Sequence, residues 1–281
     1  MYLVLQSPEP LPAEAVSHIG FAVGAFGKQE IGANAARMMV SGLDGRQRRE
    51  IDAYCQARRI DWALVPDRKL SDYGLLAMDM DSTLITIECI DEIADYAGLK
   101  AEVSAVTEAA MRGEIKDFKD SLKRRVALLK GLDAGALEKV YAERLRLSPG
   151  AEAMLEGARK AGLKTLLVSG GFTFFTDKLQ ERLGLDFTSA NLLDIDGGKL
   201  TGKVRGEIID AQQKANAVAD ICAGLHIPTS DAIVMGDGSN DLKMMSLAGL
   251  SIAYRAKPVV REKASLSFDF VGLDGLLNLF P

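Results

Sequence analysis

The sequence predicts a two-part chain. A small ferredoxin-like α+β unit spans residues 1–72, and an α/β unit with a mainly parallel sheet spans residues 73–281. Three observations carry this prediction. The first 72 residues order as strand, helix, strand, strand, helix, strand, which is the ferredoxin-like order. After a polar, Pro-led linker at 66–72, short apolar runs alternate with longer helical ones, as when helices cross over a parallel sheet. The segment at about 88–147 breaks that rhythm, being rich in Ala, Glu, Lys and Leu with no strand pattern. An all-helical insertion after the first strand of such a sheet is most simply a cap over its carboxyl edge.

Tyr2–Leu5 reads as a short apolar strand, and Pro12 opens a helix from Ala13, where its missing N–H costs nothing. Lys28–Ile31 and Arg37–Val40 read as the next two strands. Asp44 can N-cap a helix over Gly45–Arg59, whose Ile51, Ala53, Tyr54 and Ala57 give an approximate apolar stripe. Asp61–Val65 closes the unit. Beyond the linker, Leu75–Met78, Thr165–Val168, Ala232–Met235 and Leu250–Tyr254 read as buried strands.

Composition narrows the class. With 48% apolar and 26% charged residues the chain is globular rather than disordered. Lys plus Arg is 34 against 39 for Asp plus Glu, a formal net charge of −5. That balance argues against nucleic acid as a partner and, at first sight, against any phosphorylated ligand. Cys55, Cys89 and Cys222 form no C-x-x-C pair, and an odd count without a framework favours a reducing compartment. The N-terminus lacks a basic region before its short apolar run, and no stretch approaches the roughly 18 apolar residues of a membrane span. A cytoplasmic protein that binds neither membrane nor nucleic acid is expected. His18 and His226 are the only histidines and belong to no motif, which disfavours a His-dependent triad or a zinc site.

Four strand or helix positions carry candidate chemistry. Leu75–Met78 runs straight into Asp79 and Asp81, which share a face in extended geometry. At the carboxyl end of a parallel strand that face opens on the usual ligand crevice. Two convergent acids there suit Mg²⁺ binding, nucleophilic attack or acid–base work. Thr165–Val168 ends in Ser169-Gly170-Gly171, whose backbone N–H groups can approach an oxyanion. Lys214 lies on a helical stretch, and Ala232–Met235 ends in Gly236-Asp237-Gly238-Ser239-Asn240-Asp241. Taken singly, each strand end reads equally as a turn and Lys214 as a solvated lysine. Together they place acids, a hydroxyl and glycines along one sheet edge.

In these positions the sequence resembles the phosphatases of the haloacid dehalogenase (HAD) superfamily, whose core is Rossmann-like. Asp79-Met80-Asp81-Ser82-Thr83, Ser169-Gly170-Gly171, Lys214 and Gly236–Asp241 are similar to its four motifs. Glu88, Asp91-Glu92-Ile93-Ala94, Ala110-Met111-Arg112-Gly113, Phe118, Ser121–Val126, Asn191, Gly198–Gly202 and Ala256-Lys257-Pro258 narrow the likeness to the phosphoserine phosphatase family. Residues 73–281 carry it. Residues 1–72 resemble more loosely the ACT-like domain of bacterial members, through which a homodimer would form.

The resemblance implies a Mg²⁺-dependent hydrolase of the small molecule O-phosphoserine, acting in serine biosynthesis. Asp79 would be the nucleophile and a metal ligand. Asp81 would be the general acid and base, lending the metal its backbone carbonyl. Asp237 would complete the protein's metal ligands, supported by Asp241. Ser169, Gly170 and Lys214 would hold the phosphoryl oxygens, and Asn240 the transferring group. Glu88 and Arg125 would meet the substrate's ammonium and carboxylate, while Met111 and Phe118 would seal the site. The charge balance then reads differently. Residues 1–72 hold nine cations and nine anions, so the whole −5 falls in residues 73–281. A metal among those acids reverses their local effect, so net charge does not exclude a phosphate ester.

Overall fold

The structure, a computed structural model, describes residues 1–111 (the side chain of Met111 excepted), 114–115 and 117–281. The expectations for Met111, Arg112 and Gly113 lie outside the described residues. The first unit is β1 (Tyr2–Gln6), α1 (Ala13–Val23), β2 (Gly27–Gly32), β3 (Ala35–Met39), α2 (Gly45–Gln56) and β4 (Asp61–Val65). Its sheet runs β2-β3-β1-β4, antiparallel throughout, as the ferredoxin-like order requires. Ala15, Val16, Ile19 and Val23 form the buried stripe of α1, and Ile51 and Cys55 that of α2. They pack on Leu3, Leu5 and Met38. Asp44 does cap α2, accepting from Gln47 N at 2.7 Å while the Gln47 side chain accepts from Asp44 N at 3.0 Å.

The larger unit begins with β5 (Leu75–Met78). The helices α3 (Cys89–Tyr96), α4 (Lys100–Met111), α5 (Phe118–Leu128) and α6 (Gly135–Lys139) follow, and they make the cap. Then come α7 (Ala151–Lys160), β6 (Lys164–Phe172), α8 (Thr173–Leu183), β7 (Phe187–Asp196), β8 (Lys199–Arg205) and α9 (Ala211–Gly224). The chain finishes with β9 (Ala232–Gly236), α10 (Leu242–Met245), β10 (Leu250–Tyr254), α11 (Pro258–Lys263) and β11 (Leu266–Phe268). The sheet order is β11-β10-β9-β5-β6-β7-β8, parallel except for the β7–β8 hairpin. All four expected strands are present. β6 runs further than expected, through the glycines to Phe172, and its pairing with β7 is irregular there.

The cap joins the core through a short neck. Ile85 bridges Leu147, Thr86 N donates to Arg146 O at 3.0 Å, and Ser148 N donates to Leu84 O at 2.9 Å. The hairpin reaches the cap as well: Gly131 N donates to Leu200 O and Leu200 N to Leu132 O.

The two units share apolar packing, since Val4, Ala63 and Val65 belong to one core cluster with Leu273, Leu276 and Leu279. Two buried charges fix this join. Asp61 accepts from the N–H groups of Asp269, Phe270 and Val271, each at 2.9 Å. Arg37, only 2% exposed, donates to the carbonyls of Asn278 and Phe280. Each charge is solvated by peptide groups instead of water, which is what makes its burial tolerable. No helix among the described residues is long and apolar enough to cross a membrane.

Candidate active site

Three adjacent strands, β9, β5 and β6, end side by side and deliver the three expected segments to one place. Asp79 is the first residue past β5. It is 5% exposed, and its Oδ1 accepts from Met80 N at 2.8 Å. Lys214 reaches it from α9. Its Nζ lies 2.7 Å from Asp79 and 2.8 Å from Asp241, and the residue is 1% exposed. Lys214 is therefore no solvated lysine: it is the shared counter-ion of two buried carboxylates. Burial and the charge of Asp241 push the Asp79 carboxyl well above its usual range, against the pull of Lys214. For Lys214 burial acts in the other direction, but the two acids outweigh it and raise the ammonium.

The chain leaves β5 in a tight turn in which Ser82 takes the left-handed conformation, φ 56°. The Ser82 hydroxyl donates to Glu88, the N-cap residue of α3, at 2.7 Å. Asp81 has a buried Oδ1 without a hydrogen-bond partner among the described residues. Burial first, and the charge of Glu88 second, push its carboxyl up to about 8. An acid held protonated at neutral pH is suited to donating a proton.

On β6 a side chain at Gly171 would crowd its neighbours. Its Cβ would stand 2.8 Å from Met80 Cε, 3.0 Å from Ser169 Oγ and 3.3 Å from Asp81 Oδ2. A Cβ at Gly170 would meet the Phe118 ring of the cap at 3.0 Å, so Phe118 does lie against the site.

Past β9, Asp237 receives Thr83 Oγ1 at 3.5 Å. Burial, then Asp241 and Glu88, push its carboxyl up to about 6. Asp241 is fully buried and accepts from Gly238 N at 3.0 Å. Oxygens of Asp79, Asp237 and Asp241 lie within 4.8 Å of one another. Three carboxylates so close repel unless a cation or proton intervenes, and an all-oxygen set suits a hard divalent cation.

The Asp81 carboxylate is not part of that trio. Glu88 and Arg125 project from the cap, Arg125 from the last turn of α5, half-buried with its Nε unpartnered. Asn240 sits half-buried on the loop after Asp237. Among the described residues, no hydrogen bond joins Arg125 or Asn240 to Asp79, Asp81 or Lys214. The cap also touches the core through Lys119, 3.1 Å from Asp210 at the head of α9. The sequence reading assigned no role to Thr83 or Asn191. Thr83 could have been found as a hydroxyl four residues past Asp79 in the same turn; Asn191 carries no local signal.

Comparison with known proteins agrees with this layout. The profile of the haloacid dehalogenase-like hydrolase family matches residues 76–246, more than half of the chain. A phosphoserine phosphatase of a Polaromonas species is 56% identical over 218 residues, 76% of this chain and 92% of the relative. A HAD family hydrolase from Salmonella enterica serovar Typhi superposes with a TM-score of 0.91 at 31% identity, covering 99% of this chain and 98% of that one. An unliganded probable phosphoserine phosphatase from Vibrio cholerae gives 0.84 at 36% identity, covering 99% and 85%. Both structures extend over residues 1–72 as well as the larger unit.

Proposed function

The chain belongs to the haloacid dehalogenase-like hydrolase family, and from that premise we propose that it is a phosphoserine phosphatase, converting O-phospho-L-serine and water to L-serine and phosphate. The observation that carries the reading is Asp79, buried at the end of β5 with Lys214 at 2.7 Å and the Ser169 turn beside it. The 56% identical relative bears that name, which supports the choice of substrate.

A nucleophile must approach the phosphorus in line with the leaving oxygen, and positive charge must meet the three equatorial oxygens. Asp79 attacks, forming the phosphorus–oxygen bond as the bond to the serine oxygen breaks. Asp81 gives that oxygen its proton, because an alkoxide leaves poorly. Asp81, now ionised, takes a proton from water, whose oxygen attacks the aspartyl-phosphate. Phosphate departs and both aspartates return to their starting states. Lys214, the Ser169 hydroxyl and the Gly170 N–H bind the phosphoryl oxygens, with Asn240 at the transferring group. Arg125 binds the substrate carboxylate with its planar fork and Glu88 pairs with the ammonium. Phe118 and the cap exclude water.

The side chains of Asp79 and Asp237 and the backbone carbonyl of Asp81 would hold Mg²⁺, with Asp241 in support. Bound there, the cation supplies positive charge that favours ionised Asp79 and offsets the phosphoryl charge. Residues 1–72 form an ACT-like unit in this reading, residues 73–281 the phosphatase with its cap at about 88–147. A homodimer through residues 1–72 and a cytoplasmic setting belong to the same proposal. The test is phosphate release from O-phospho-L-serine with Mg²⁺ and after chelation. Release that requires Mg²⁺ is expected; its absence with the metal present would overturn the reading.

A further inference from the structure

Asn191 is 1% exposed and stands on β7 where β6 bulges towards the site. Between the pairs Val168–Ser189 and Phe172–Asn191, β6 carries two more residues than β7. The extra length is the Ser169-Gly170-Gly171 turn, and the Asn191 side chain holds it. Its Nδ2 donates to the Gly170 carbonyl at 2.8 Å, and its Oδ1 accepts from Ile209 N at 2.8 Å. Only one orientation of the amide satisfies both partners, so its direction is fixed by the backbone.

The Gly170–Gly171 peptide is thereby held at both ends. Its carbonyl takes the Asn191 proton, and its N–H, on Gly171, donates to Ser169 Oγ at 2.8 Å. A hydroxyl oxygen that accepts from an N–H keeps its own proton for another acceptor and turns it away from that N–H. The sequence amide, peptide, hydroxyl is a chain of donors in which each bond polarises the next. The Ser169 oxygen and Asp81 Oδ2 flank one point, standing 3.0 and 3.3 Å from where a Gly171 Cβ would be. The hydroxyl thus shares the surroundings of Gly171 with Asp81, the proposed general acid. Two successive glycines give this peptide little rotational resistance of its own, so an outside tether is needed to set it.

We propose that Asn191 is a positioning residue which, through the Gly170–Gly171 peptide, aims the Ser169 hydroxyl proton at a phosphoryl oxygen of the substrate. This rests on reading Ser169 as a phosphoryl ligand. A merely structural Asn191 would act on the site whatever stands at 169; one that acts through Ser169 is silent once that hydroxyl is gone.

The test is a double-mutant cycle of Asn191→Ala and Ser169→Ala in the full-length, Mg²⁺-loaded protein, read by calorimetric titration with inorganic phosphate. Asn191→Ala alone should weaken phosphate binding about tenfold, the scale of one or two lost hydrogen bonds. In the Ser169→Ala background it should weaken binding less than about twofold. Equal losses in both backgrounds would overturn the proposal and leave Asn191 a structural residue. If Ser169→Ala alone leaves phosphate affinity unchanged, the reading of Ser169 itself falls, and the proposal with it. Should Asn191→Ala not fold, Asn191→Ser takes its place with the same expectation.

Discussion

Replacing Lys214 with Met keeps most of the length of the side chain and removes the cation that bridges Asp79 and Asp241. The consequences follow from the distances. At 2.7 and 2.8 Å, each attraction is worth about 6 kcal/mol gross at an effective dielectric constant of about 20. Desolvation of the three groups cancels much of that in the native protein. In the variant the attraction is gone while the carboxylates stay buried, and their own repulsion is unscreened. Breaking a buried pair by deleting one partner costs about 3–5 kcal/mol, and that is the expected loss in urea unfolding of metal-free protein at pH 7. The loss should shrink at low pH, where the acids are protonated in both states, and shrink again on adding Mg²⁺. Turnover should suffer separately, because in the proposed reaction Lys214 also meets the charge that develops on the phosphoryl oxygens. Losing one such group costs about 10²–10³ in kcat. A Lys214→Met protein within about 1 kcal/mol of wild type in stability, or within about tenfold in kcat/KM, would refute the reasoning.

Three further outcomes are expected. Arg125→Ala should lower kcat/KM for phosphoserine about 100-fold, through loss of a charged double hydrogen bond, yet change that for phosphoethanolamine less than about threefold. Equal losses on both esters would remove Arg125 from carboxylate binding. Gly171→Ala brings a methyl to 2.8 Å from Met80 Cε and 3.0 Å from Ser169 Oγ, so the Met80 side chain and the Ser169 hydroxyl must give way; stability should fall by about 1–3 kcal/mol and phosphate affinity with it, whereas unchanged phosphate titrations would show that the turn tolerates a side chain. Glu88→Gln removes a negative neighbour that raises the Asp81 carboxyl, which stands at about 8. If protonated Asp81 is the acid, activity declines above about pH 8, and the variant's decline moves to lower pH; an unmoved alkaline limb would separate Glu88 from Asp81.

What could be read from the sequence was local. Asp79 and Asp81 follow an apolar strand directly, and strand ends in a parallel sheet share an edge, so the catalytic edge is legible from three short segments. The place of Lys214 between two carboxylates was legible only through resemblance, since a lysine on a helix is ordinarily solvated and its partners lie far away in sequence. The contacts of Asn191, Arg37 and Asp61 were invisible for the same reason. Arg37 meets Asn278 across 241 positions. The β7–β8 hairpin was missed although it had a signal: Gly197 and Gly198 both have positive φ, 54° and 78°, in a two-residue turn between Asp196 and Lys199. Its strands were obscured because they are half-exposed and polar in alternation, with Leu192 47% exposed. The net charge of −5 was a poor guide to the ligand, because the acids of the site are placed to face a cation.

In the proposed reaction Asp79 is covalently phosphorylated during turnover. The direct measurement is acid-quenched, single-turnover reaction with ³²P-labelled phosphoserine, followed by mapping of the labelled peptide. Label should appear on Asp79, decay as phosphate is released, and vanish in Asp79→Asn. Label on another residue, or on the Asp79→Asn protein, would contradict the account.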